Sequence, residues 1–386
     1  MNFERIVSKE VQDYIKANLN SDLPNLLLKK SPFEDISMAD LVQQIKGHKV
    51  GAKKFPSLLE FPIIFPPNLN LEQTSSENTA KYKANLVSGK SMLDLTSGFG
   101  IDAYFLSQNF SDVTLVERNS ELLDLVKINW KSFGKEANFI SSELEHFLND
   151  TKSTFDVVYL DPARRDQNKQ KVFLLEDLSP NILEIQDRLF ELSERILIKL
   201  SPLIDLKYLI QNVKGIERIH LVAVKNEVKE VLLHLKKDAD SQECEIACVN
   251  LESSEPVFTF NWKNLYSSKV EYNDALNFLY LPNNALLKSG AFDLVAQEFH
   301  LYKLHQNTHL YTSKEIRDDF PGRILKVEKI DAKSLRKREK YNIVSKNHPL
   351  KPEDIKKKYK LQDGGKGYLI FTQSIKGKII LKSSDL

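Results

Sequence analysis

The feature that most constrains this chain is a single turn. In Met92-Leu93-Asp94-Leu95-Thr96-Ser97-Gly98-Phe99-Gly100-Ile101-Asp102, an apolar strand pattern runs into Gly-x-Gly and straight on into a helical pattern. Gly98 permits a tight turn with positive φ, and Gly100 removes the Cβ that would hold a ligand off the backbone. The helix that follows, near 101–109, aims free N–H groups at the same place. The next apolar strand, Val113-Thr114-Leu115-Val116, ends in Glu117, an acid placed to accept hydrogen bonds from a ribose diol. A lone Gly-x-Gly says little. Strand, turn, helix, strand and acid in series describe a site for a nucleotide-sized cofactor.

Nicotinamide and S-adenosylmethionine sites share this layout, and two features separate them. Asp94 lies at the end of the first strand, where its carboxylate suits a cationic amino group and would repel a pyrophosphate. Further on, Phe155-Asp156-Val157-Val158-Tyr159-Leu160 is a buried-type strand ending in Asp161-Pro162-Ala163-Arg164. At the carboxyl end of a parallel strand such residues face the ligand crevice.

These residues resemble a known family. Asp94 to Asp102 is similar to motif I of class I S-adenosylmethionine-dependent methyltransferases, and Asp161-Pro162-Ala163-Arg164 to a variant of their motif IV, (Asp/Asn)-Pro-Pro-x. Leu71 to Lys83 upstream, with Asn342 to Leu350 and Asp363-Gly364-Gly365 downstream, resemble bacterial RNA methyltransferases with a THUMP-like C-terminal domain. The resemblance implies S-adenosyl-L-methionine as cofactor, held by Asp94, Thr96, Gly98, Gly100 and Asp102, with Glu117 and Arg118 beside the ribose. It implies Ser142 or Glu143 near the adenine amine, Gln73, Thr79 and Lys83 against the methionine end, and Asp161 bordering the reacting methyl. It makes Asp161, Pro162 and Arg164 the catalytic candidates. Asp161 and the carbonyl after it would accept hydrogen bonds from an exocyclic amine, and Pro162, with φ fixed, would hold that geometry. Two departures stand out: Ala163 replaces the second proline, and Arg164 replaces the aromatic that would stack on a flipped base. A guanidinium can stack on a base or bind a phosphate. An Asp-Pro-Pro-Arg form also serves enzymes that attack pyrimidine C5 through a cysteine, but neither Cys244 nor Cys248 lies near an active-site loop.

Charge adds a second signal. The net charge of the 386 residues is only +2, yet from Arg323 to Leu386 there are 18 Lys and Arg against 7 Asp and Glu, a net of +11. The rest carries 37 against 46, a net of −9. That asymmetry suits a tail that grips phosphates; a merely solvated lysine surface is the alternative. No 18-residue apolar run and no signal peptide are expected, which places the chain in the cytoplasm. Two cysteines cannot staple a chain of this length, the eight histidines show no ligand spacing, and no metal is expected.

The rhythm of the chain predicts an α/β fold: a seven-stranded, doubly wound Rossmann-like domain with a small helical N-terminal region and C-terminal α+β modules. Strands are expected near 91–96, 112–117, 137–141, 155–161, 195–200, 217–224 and 243–250. Helices are expected near 101–109, 120–133, 143–149, 172–193, 203–213 and 226–236. The domains divide as 1–65, a helical region and proline-rich connector; 66–252, the cofactor domain; 253–320, a ferredoxin-like module; and 321–386, the basic THUMP-like domain. In the last, helices are expected at 331–341 and 351–359, with closing strands at 367–372 and 378–381.

The function these readings support is methylation of a base in structured RNA, rRNA or tRNA, bound through residues 321–386. A methyltransferase of a small molecule or protein, and an RNA-binding protein with a vestigial cofactor fold, remain the rivals. A nicotinamide oxidoreductase is disfavoured by Asp94 and Asp161-Pro162.

Overall fold

The computed structural model describes residues 3–66, 71, 74–164, 174–266 and 269–384. The chain divides into two compact units, 1–205 with 212–215 and 233–238, and 206–211 with 216–232 and 239–386.

The first unit holds five parallel strands: β1 (Ser91–Asp94), β2 (Asp112–Glu117), β3 (Asn138–Ser141), β4 (Val157–Leu160) and β5 (Arg195–Leu200). They lie in the order β3-β2-β1-β4-β5, so the order reverses beside β1, where Asp94 pairs in register with Tyr159. In an open parallel sheet that switch point, at the carboxyl ends of the strands, is where ligands bind. Helices Ile101–Leu106, Ser120–Ser132, Leu144–Asp150 and Ile182–Leu192 make the connections. Because helices cover both faces, every residue of β4 is buried and its sequence is a continuous apolar run rather than an alternation.

The expected proline-rich connector is a 3₁₀ turn, Pro56–Glu60, followed by extended chain. Side-chain amides take the place of a neighbouring strand there. Gln44 pairs with both backbone groups of Phe65 at 2.8 and 2.7 Å, and Asn129 with both of Ile64 at 2.9 and 2.8 Å.

The sheet continues through β6 (Ile216–Val224), β7 (Glu227–Lys236), β8 (Glu245–Leu251) and β9 (Phe258–Asn261) to nine strands, in the order β9-β8-β6-β7-β5-β4-β1-β2-β3. Seven were expected, and the helix expected over 226–236 is β7. Val228, Val231, Leu232 and Leu235 mimic helical spacing in a short apolar run, where periodicity cannot separate the two states. What decides is the turn before them. Lys225 and Asn226 both have positive φ, 48° and 66°, the geometry of a two-residue hairpin turn. Within 172–193, the described residues are helical only from Ile182, after a 3₁₀ turn at Leu175–Asp177 and a two-residue ladder of Ala163–Arg164 with Leu178–Ser179.

The second unit also contains a seven-stranded sheet: β10 (Phe278–Pro282), β11 (Tyr302–His305), β12 (Thr308–Ser313), β13 (Gly322–Ile330), β14 (Lys340–Ser345), β15 (Gln362–Ser374) and β16 (Gly377–Ser384). Their order is β11-β12-β10-β13-β16-β15-β14. Residues on either side of Pro321 therefore share one sheet, β10 pairing antiparallel with β13. Helix Pro352–Tyr359 makes the crossover between the parallel strands β14 and β15, packing Ile355 against Tyr341, Leu369 and Phe371. The helix expected at 331–341 is absent. That stretch holds only a 3₁₀ turn, Ala332–Ser334, before β14 begins, because its run of Lys and Arg lacks an apolar stripe to bury and Arg338 has φ +66°.

Candidate functional site

The Gly-x-Gly turn joins β1 to its helix. At Gly98, φ is +50° and an added Cβ would meet only the Thr96 carbonyl oxygen, 3.8 Å away, so the open side of the turn faces empty space. Gly100 differs: with φ +76°, its added Cβ would stand 3.0 Å from Val126 Cγ1 and 3.2 Å from Trp130 Nε1. The room that sequence reasoning reserved for a ligand at Gly100 is taken by the protein's own core. The room at Gly98 is not.

Glu117, at the end of β2, turns back to this point. Its Oε2 accepts the Gly98 N–H at 3.1 Å and its Oε1 the Asn119 N–H at 2.9 Å. Beside them opens a cleft of about 550 Å³, lined by both glycines, Glu117 and Arg118, Ser142 and Glu143, and by Asp94, Thr96, Asp102 and Asp161. Ser97 lines it too, with a buried hydroxyl that has no hydrogen-bond partner among the described residues. A buried hydroxyl left unmatched at a cleft wall is a place for a ligand group.

The cleft's other wall is ionic. Asp94, only 1% exposed, accepts the Thr96 N–H at 2.8 Å. Burial pushes its carboxyl well above the usual range; the Thr96 bond opposes this, and the charges of Asp102, Asp161 and Glu117 add to it. Asp102 is the reverse case. Burial disfavours its charge too, but Lys83 3.1 Å from Oδ1 and Lys199 3.3 Å from Oδ2, with hydroxyls of Ser75 (2.7 Å) and Tyr159 (2.8 Å), outweigh that and hold its carboxyl low. Lys199 also reaches Asp161 Oδ2 at 2.5 Å, and the Asp161 N–H donates to Thr96 Oγ1 at 2.7 Å. One network thus links the ends of β1, β4 and β5.

Not every expected residue comes to the cleft. The Thr79 hydroxyl donates to the Ser76 carbonyl within its own helix. Lys83 is fully buried behind Asp102, and Pro162 is buried. The Arg164 backbone pairs with Leu178 in the short ladder, while the Arg164 side chain and Gln73 lie outside what the structure describes. Sequence reasoning missed Ser75, Tyr159 and Lys199. Lys199 had left a trace, a lone charge among Ile196, Leu197, Ile198 and Leu200, in a strand with no polar face on which to solvate it. Burial pushes both Cys244 and Cys248 thiols up to about 12, far from a reactive thiolate.

Comparison with known proteins gives a consistent outline. A family model described as conserved hypothetical protein 95 matches residues 77–184, a ferredoxin-like domain model matches 278–321, and a THUMP domain-like model matches 322–381. Over 93 residues, 24% of the chain, there is 34% identity to an uncharacterized RNA methyltransferase of Mycoplasma mobile; the match spans only 25% of that relative's length. The crystal structure of a methyltransferase candidate from Porphyromonas gingivalis W83 superimposes with a TM-score of 0.88 at 28% identity, over 99% of both chains. The resemblance read from the motifs therefore holds, and the architecture is the Rossmann-like methyltransferase fold with a C-terminal sheet module.

Proposed function

We propose that this chain is an S-adenosyl-L-methionine-dependent methyltransferase acting on a base in structured RNA, rRNA or tRNA. One observation carries the reading: the Glu117 carboxylate is locked onto the Gly98 turn at the mouth of a cleft that also holds Asp161. The residues fit the cofactor. The cleft is within the size range of small-molecule sites, Gly98 leaves the backbone open, and the Ser97 hydroxyl lacks a partner among the described residues. When bound, the cofactor supplies a methyl group on a sulfonium.

The protein's own groups do the rest. Glu117 accepts from the ribose hydroxyls, and Ser142 and Glu143 face the base end. Asp94 takes the amino group. A cation there stabilises the ionised carboxyl that burial alone disfavours, so binding and ionisation support each other. Asp161, 37% exposed at the cleft, accepts from the target base and aligns it for attack, with its backbone fixed by Thr96. Arg164 and the basic tail, net +11, contact the phosphates.

Calorimetry with S-adenosylhomocysteine, followed by transfer of labelled methyl to RNA from cells lacking the gene, tests this. Binding and RNA labelling are expected. Absence of binding would leave an RNA-binding protein with a vestigial fold. Transfer to protein or a small molecule instead of RNA would replace the substrate class.

A further inference from the structure

We propose that Lys199 is a positioning residue for the Asp161 carboxylate, fixing one oxygen so that the other is presented to the acceptor; this rests on the methyltransferase reading above. Three observations point there. First, Lys199 sits on β5 among residues that are 0–4% exposed, so its ammonium is carried by rigid, buried backbone rather than by a loop. Second, that ammonium reaches Asp161 Oδ2 at 2.5 Å, Ser75 Oγ at 3.2 Å and Asp102 Oδ2 at 3.3 Å. Third, Asp102 already has Lys83, itself 0% exposed, at 3.1 Å, together with the hydroxyls of Ser75 and Tyr159.

The charge of Asp102 is thus answered by a lysine that does not reach the cleft, and of these three approaches of Lys199 the shortest is to Asp161. Two ends of the network are anchored in the wall, and the third holds a carboxylate that is 37% exposed. A carboxylate that open samples several rotamers unless something fixes it. With Oδ2 held by the ammonium, Oδ1 is the oxygen assigned here to an N–H donor of the acceptor. The arrangement commits Asp161 to a single acceptor direction, and it does so before substrate arrives. Asp102 and Ser75 serve as the mount, which explains why a buried acid in the motif carries two lysines rather than one.

The test uses the full-length protein with Lys199→Met, Lys199→Arg, Asp161→Asn and the double variant Asp161→Asn/Lys199→Met. S-adenosylhomocysteine affinity, melting temperature and methyl transfer to RNA from cells lacking the gene are measured for each. Lys199→Met should keep cofactor-product affinity within a few-fold and lose roughly 100-fold in kcat with little change in KM, the cost of an ångström of misplacement. Lys199→Arg should recover part of that loss. The double variant should be no slower than Asp161→Asn alone, because a group acting through Asp161 has nothing left to act on. Full turnover in Lys199→Met overturns the proposal. So does a double variant that loses the product of both single losses, and so does cofactor affinity falling in step with turnover. If Lys199→Met does not fold, the Arg variant and its double with Asp161→Asn decide by the same comparison. A wild-type protein that transfers no methyl at all overturns the functional reading, and this role with it.

Discussion

The cleft of the first unit and the lysine-rich surface of the second handle charge in opposite ways. In the first, acids and lysines meet in one buried network at the wall of the cleft: Lys83 is 0% exposed, Asp94 1%, and Asp102 has four partners. In the second, Lys333, Lys337, Lys340, Lys357, Lys358, Lys360 and Lys366 are all exposed, with long side chains in solvent. A buried charge is costly unless it is paired and hydrogen-bonded, so where several persist together each is fixed in space. That suits recognition of one small ligand. Solvated lysines keep their rotamer freedom and present only a field, which suits a polyanion whose phosphates need no single register. Pairing, rather than the sign of charge, separates the cleft from the basic surface here.

The hardest test of that contrast removes the cleft residue expected to meet the substrate. Asp161→Ala should lower turnover by about 10²–10³-fold or more, as loss of one electrostatic partner of a transition state does. S-adenosylhomocysteine affinity should stay within a few-fold, measured by calorimetry on the same preparation. Retained turnover would move the chemistry elsewhere in the cleft.

Next in size is the cofactor side. Glu117→Ala should weaken S-adenosylhomocysteine binding by about 1.5–3 kcal/mol, the range for a hydrogen bond to a charged group. It also strips the Gly98 and Asn119 N–H groups of their acceptor, so the melting temperature should fall in the ligand-free protein as well. Unchanged affinity in a folded variant would take Glu117 off the ribose.

For the basic surface, the effect should be smaller per residue and spread out. Cutting the chain after Pro321 is the wrong experiment, because it would remove β13 from beside β10 and split a sheet. Reversing exposed charges leaves the fold intact. Lys357→Glu with Lys358→Glu should lower RNA affinity and reduce the slope of log affinity against log salt by about 0.7–0.9 for each phosphate no longer neutralised. An unchanged slope would make the lysines of that helix a solubility feature.

How much of this was legible beforehand follows the same division. The cleft's backbone was readable, because a strand running into Gly-x-Gly and a strand ending in an acid are local patterns. Its ion network was not: Ser75, Asp102, Tyr159 and Lys199 come from four separate segments, and only folding brings them within 3.3 Å. The hairpin β6–β7 reads from sequence as strand then helix because an apolar run of that length fits both periods, and the deciding turn, Lys225–Asn226, lacks the glycine that usually announces it. In the tail, charge asymmetry was plain from composition. The sheet that unites it with residues 278–313 was not, since pairings of that range leave no mark in short windows.

The smallest effect bears on the contrast most directly. Asp94 is held in the wall with its carboxyl pushed well above the ordinary value, so burying its charge costs the empty protein stability. For an acid whose folded pKa is raised, the favourable state is the protonated one: its contribution is complete below the ordinary carboxylate range and is lost as pH rises through the folded value. Asparagine keeps an oxygen for the Thr96 N–H and carries no charge. Asp94→Asn should therefore stabilise the ligand-free protein at neutral pH, with the gain vanishing as pH falls below the ordinary carboxylate value of about 4. The same change should weaken binding of a cofactor bearing a cationic amino group, so S-adenosylhomocysteine should raise the melting temperature less in the variant than in the wild type. A stability gain with full cofactor affinity would mean that the amino group sits elsewhere. Loss of stability at neutral pH would mean that this buried acid is paired after all, and the two units would differ less than their exposures suggest.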